Sequence, residues 1–132
     1  MSDTPDFQVI DLAGRRVLLA AGLDVSAPGA PVASERDATD LVGEALGAGA
    51  DTIAVPVGRL SPAFFDLKTG LAGAILQKTT NYRLGFAVVG EIPADALRSE
   101  ALRAFIAESN RRGVVLFVAD LAELEARLGA AG

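Results

Sequence analysis

Three short apolar runs, each set off by segments with helical spacing, constrain this chain more than any other feature. Residues 51–57 (DTIAVPV), 83–89 (RLGFAVV) and 114–118 (VVLFV) are apolar and rich in β-branched side chains, with little alternation. Such runs read as strands buried on both faces, the pattern of a parallel sheet covered by helices. Between them the period changes. Ser34, with Asp37 three residues on, marks a helix start. Ala38, Leu41, Val42, Ala45 and Leu46 then form one stripe, and Gly47 and Gly49 supply the stop. Ser61-Pro62 marks a second start, with Leu67, Leu71, Ala74, Ile75 and Lys78 on one face and an end at Asn81. Gly70 and Gly73 fall inside that predicted helix, each costing up to about 1 kcal/mol relative to alanine. Ser99 opens a third helix, with Ala101, Leu102, Phe105 and Ile106 on one face and Gly113 as its stop. Asp120 and Glu123 open a fourth, with Leu121, Leu124 and Leu128 inward.

Upstream, residues 7–12 and 16–21 are β-rich and flank Ala13-Gly14-Arg15, which reads as a hairpin. Residues 1–6 are polar and expected to be frayed, and residues 23–33, with Pro28, Gly29 and Pro31, read as a loop. The order is β-β-α-β-α-β-α-β-α. It implies one α/β domain over residues 1–132, with a mixed sheet of five strands and helices packed on it.

Composition bounds the chemistry. Among 132 residues there is no cysteine and no histidine. That excludes disulfides, thiol nucleophiles, Cys- or His-ligated metal centres and a Ser-His-Asp triad. Twelve Lys and Arg against 17 Asp and Glu give a net charge of -5, so neither nucleic acid nor an anionic membrane is an expected partner. No segment fits a P-loop, a dinucleotide-binding fingerprint or an EF-hand, and Asp24, Asp37 and Asp40 are too scattered for a metal site. No metal and no cofactor is expected. The opening MSDTPDFQ lacks a basic stretch followed by an apolar one, and no apolar run approaches the ~20 residues of a membrane span. A cytoplasmic location is the expectation. Abundant alanine and only two lysines, Lys68 and Lys78, suggest a GC-rich bacterial genome.

Three segments carry a resemblance: residues 64–92 (FFDLKTGLAGAILQKTTNYRLGFAVVGEI), the ERDATDLVGEALGAGADTIAVPV block, and LRAFIAESNRR with FVADLAELEARL. Together they resemble the bacterial family known as domain of unknown function 4180. The element order is similar to that of the STAS domain of anti-anti-sigma factors. In that fold a strand leads into a helix beginning Asp-Ser-Ser-Gly-Leu, whose serine is a regulatory phosphorylation site. The matching place here reads Asp66-Leu67-Lys68-Thr69-Gly70-Leu71. Thr-Gly-Leu matches, Lys68 stands where one family serine would be, and Asp66 lies one residue too early. The likeness implies a STAS-like module with Thr69 as phospho-acceptor.

The residues themselves give two groups. Asp66, Lys68, Thr69 and Gly70 sit at an expected helix start, where free N–H groups attract anions or a phosphate; a bland alternative is plain helix capping by Asp66. Arg59, Glu91 and Asp120 follow the three apolar strands and fall at their carboxyl ends, where α/β sheets collect ligands. Phe64, Phe65 and Phe86, with Asp66, Tyr82, Arg83 and Glu91, could line an apolar pocket. Ser109-Asn110-Arg111-Arg112 complements a helix C-terminus, or joins Arg98 and Arg103 in a partner patch. Two functions fit. One is a non-catalytic regulatory module that binds a protein partner or itself, switched near Thr69. The other is a small enzyme or ligand binder performing proton transfer, elimination or cyclisation with Asp, Glu, Arg and Tyr.

Overall fold

In the computed structural model, which describes residues 8–23, 34–113 and 115–131, the chain opens with a tight hairpin. Strands β1 (Gln8–Leu12) and β2 (Arg15–Leu23) pair antiparallel, with Leu12 opposite Arg15. Arg15 therefore belongs to the strand, and the turn is only Ala13-Gly14. Both turn residues have positive φ, 53° and 80°. That is the backbone twist a two-residue hairpin requires. The expected fraying of residues 1–6 and most of the expected loop, residues 24–33, lie outside the described residues.

Helix α1 (Glu35–Ala48) follows, then β3 (Thr52–Pro56), α2 (Leu71–Asn81), β4 (Gly85–Val89), α3 (Glu100–Arg112), β5 (Val115–Val118) and α4 (Leu121–Ala131). The order is the expected one. The caps read from the sequence are present. The Ser34 hydroxyl accepts from Asp37 N–H at 3.3 Å, Ser99 from Leu102 N–H at 3.1 Å, and Asp120 from Glu123 N–H at 2.9 Å. Gly49 and Gly113 end their helices in the left-handed region.

Strand order in the sheet is β1-β2-β3-β4-β5, with β2 to β5 parallel. Each crossover is right-handed by default, and successive strands add in one direction. All three crossover helices must then cover the same face. They do: Leu18, Ile53, Val55, Phe86, Val88 and Phe117 pack with Ala38, Leu41, Val42, Ala45, Ile75 and Leu102. Neighbouring residues on the strands point the other way. Val17, Leu19, Ala54, Ala87, Val89, Leu116 and Val118 meet Leu124 and Leu128 of α4. The domain is therefore a three-layer α/β sandwich, and among the described residues α4 is the helix on the second face. Its mixed sheet and strand order are consistent with a STAS-like fold. Among the described residues no helix is long and apolar enough to cross a membrane.

Two expected boundaries differ. The helix read from Ser61 to Asn81 is not continuous. Residues 57–70 form three short 3-10 turns, Val57–Arg59, Pro62–Phe65 and Leu67–Thr69, and Gly70 at φ 76° breaks the chain before α2. Gly70 is thus the hinge before the helix, and only Gly73 lies within it. Strand β4 starts later than expected because Arg83 sits at φ 58° and Leu84 N–H still bonds Thr79. On α1, Leu46 is half exposed, outside the buried stripe.

Candidate functional site

The carboxyl ends of β3, β4 and β5 open onto one edge of the sheet. After β4, Gly90 turns the chain at φ 126°, with Val57 Cβ 3.3 Å from where a side chain would begin. Residues 90–98 then run as a ridge across this edge and finish in a 3-10 turn, Ala96–Arg98. A groove lies on either side. One, of about 510 Å³, is lined by Glu91, Ile92, Leu97, Ile106 and Phe117. The other, of about 400 Å³, is lined by Val57, Leu60, Pro62 and Phe65 opposite Pro93 and Ala96, with Asp66 and Asp95 at its rim. Pro93 lines both. The walls are apolar with carboxylates around them, the lining of a binding surface.

The second groove rests on the three 3-10 turns, and Thr69 ties the second and third of them to the start of α2. Its hydroxyl oxygen accepts from Leu71 N–H at 3.2 Å. Its one proton is shared between the carbonyls of Ala63 at 2.7 Å and Asp66 at 2.9 Å. Thr69 is nevertheless exposed. Asp66 does not cap α2: its carboxylate accepts from Lys68 N–H at 3.1 Å and caps the short turn instead. Lys68 and Gly70 are exposed beside it. All four residues of the first sequence group therefore lie together at the entry to α2.

The second group divides. Glu91 lines the larger groove. Asp120 lies on the same sheet edge but is occupied as the cap of α4, while Glu123 reaches back to Ala119 N–H at 2.7 Å. Arg59 turns inward. It is 5% exposed, and its guanidinium donates to the Ala20 carbonyl on β2. Phe64 and Phe86 are packed in the core, with ring centroids 6.4 Å apart, and Phe65 stands edge-on to Phe64. Of the three rings, Phe65 alone lines the groove between residues 57–66 and the ridge. Tyr82 and Arg83 precede β4 and Glu91 follows it. The strand separates them by roughly 17 Å, so they share no site. Arg98 and Arg103 lie at the start of α3, where Arg103 donates to the Leu97 carbonyl at 2.6 Å; Arg111 and Arg112 lie at its other end. Among the described residues no group of three or more Asp and Glu is placed to hold a metal ion.

Sequence reading places Asn110 only at a helix end or in a partner patch, and the structure gives it a different part. Its side-chain carbonyl accepts from Phe117 N–H at 2.7 Å, and its amide donates to the Phe117 carbonyl at 3.3 Å. Among the described residues β5 is the sheet's last strand, and these two groups face away from β4. Asn110 supplies what a sixth strand would. No periodicity signals a side chain pairing with a strand edge seven residues on.

No curated protein and no solved structure matches this chain. A family model matches residues 20–128, which span α1 to β5 and most of α4, and by that match the chain belongs to the family described as domain of unknown function (DUF4180).

Proposed function

We propose that this domain is a non-catalytic regulatory module that docks a partner protein along the carboxyl edge of its sheet, with Thr69 as the switch. One observation carries the reading. The hydroxyl of Thr69, an exposed residue, holds turns that build one wall of the docking groove, through Ala63, Asp66 and Leu71. A phosphoryl group on that oxygen removes the shared proton and adds about two negative charges. Phosphate oxygens would then face the Ala63 and Asp66 carbonyls. The turns carrying Pro62 and Phe65 must move, and the groove changes shape.

The test places a photo-crosslinking amino acid at Ala96, on the groove, and at Tyr82, on the opposite sheet edge, in the native host. A discrete protein adduct at position 96 that is weak at 82 and lost with Thr69→Glu supports the reading. Equal adducts at both positions, or an adduct indifferent to Thr69→Glu, overturns it. Native mass spectrometry of the same material shows whether Thr69 carries phosphate and whether the adduct is a second copy of the chain.

A further inference from the structure

The amino ends of the parallel strands hold a different kind of concavity, of about 370 Å³. Four arginines line it: Arg15 from the start of β2, Arg111 and Arg112 from the end of α3, and Arg127 from α4. They are a third of the chain's 12 cationic residues. Among the described residues no Asp or Glu lines it, whereas both grooves at the carboxyl edge include a carboxylate. Arg111 pairs with Glu108, and Arg127 Nε lies 3.3 Å from Glu123. Arg15 and Arg112 have no ion pair among the described residues. The helix dipole accounts for arginines at the end of α3, but not for Arg15 or Arg127, which arrive from other elements. Leu116 and Leu128, both on the face covered by α4, form an apolar floor, and Thr52 and Gly85 line it beside them.

From this we infer an anion site for a small organic phosphate, held by the Arg15 and Arg112 guanidinium groups with its carbon body on the apolar floor. Guanidinium groups bind phosphate oxygens in paired, charge-assisted hydrogen bonds. The concavity matches the size of small-molecule sites. The net charge of -5 disfavours an extended polyanion, because the surface around the site repels it. This assignment is independent of the docking reading, which concerns the other edge of the sheet.

The experiment is a two-dimensional NMR titration of the whole chain at low salt, with phenyl phosphate, inorganic phosphate and benzoate as probes. Saturable shifts at Thr52, Gly85 and Gly113, with phenyl phosphate binding about tenfold more tightly than either other probe, are expected. The double variant Arg15→Gln, Arg112→Gln should weaken phenyl phosphate about tenfold or more and keep the native spectrum. Arg98→Gln, with Arg36→Gln, should change nothing. Arg112→Lys keeps the charge without the fork and should fall between. Shifts that never saturate, shifts spread over all surface arginines, or a double variant that binds like the parent would overturn the site. A phosphothreonine peptide or anionic phosphatidylglycerol vesicles binding more tightly than phenyl phosphate would overturn the small-molecule assignment.

Discussion

Asn110→Ala should destabilise the domain by about 2 kcal/mol. The substitution removes the two hydrogen bonds that close the outer edge of β5, at 2.7 and 3.3 Å. A net bond of this kind contributes about 0.5–1.5 kcal/mol, which gives roughly 1–3 kcal/mol for the pair. The longer bond pulls toward the lower end. Partial burial of the site pulls upward, because water reaches the freed Phe117 groups incompletely. Urea unfolding followed by circular dichroism is the assay. With an m-value near 2 kcal/mol/M, the midpoint should fall by about 1 M with the slope unchanged. Asn110→Asp separates pairing from packing. It keeps the acceptor for Phe117 N–H but sets a carboxylate oxygen against the Phe117 carbonyl, so it should lose at least as much as alanine. The freed edge should also make the alanine variant associate at high concentration, visible by light scattering. An alanine variant within about 0.5 kcal/mol of the parent, or an aspartate variant as stable as the parent, would refute the edge-closing role.

Three other perturbations follow from the backbone and the buried arginine. Ala13 and Arg83 hold positive φ without being glycine, so Ala13→Gly and Arg83→Gly should each stabilise the fold, by up to about 1 kcal/mol in thermal or urea unfolding. Gly90→Ala should cost more than Gly70→Ala, which should itself cost about 1–2 kcal/mol. Both residues have positive φ, but a Cβ at Gly70 meets open space while one at Gly90 meets Val57 at 3.3 Å; equal midpoints would contradict this. Arg59→Ala should cost about 3 kcal/mol, because it leaves the Ala20 carbonyl without its guanidinium donor and empties buried volume. A loss below 1 kcal/mol would mean that water replaces the guanidinium.

The sequence carried the architecture because each element has a local signature that agrees with the global fold. Ile53, Val55, Phe86 and Val88 lie in runs too apolar for a half-exposed strand, and Ser34, Ser99 and Asp120 mark helix starts by their side-chain chemistry. Where reading failed, local signals conflicted. Ser61-Pro62 is a sound helix start, and the apolar spacing continues past it. Gly70 overrides both, because its left-handed backbone ends one set of turns and lets α2 begin afresh, an outcome that spacing cannot foresee. Candidate site residues were legible as a group only where chain proximity and spatial proximity coincide. Asp66, Lys68, Thr69 and Gly70 are adjacent in both senses. The rule for carboxyl strand ends puts Glu91 at the edge where it lines a groove, yet could not say that Arg59 turns inward to Ala20 or that Asp120 is consumed by capping. The arginine site has no local trace. Arg15 stands about a hundred residues from Arg111 and Arg112, and only the three-layer packing brings a hairpin, the end of α3 and the body of α4 to one corner. A chain that reads as acidic by its sum thus holds a cationic concavity, because net charge sums over the whole surface and says nothing of how charges are grouped at one corner of it.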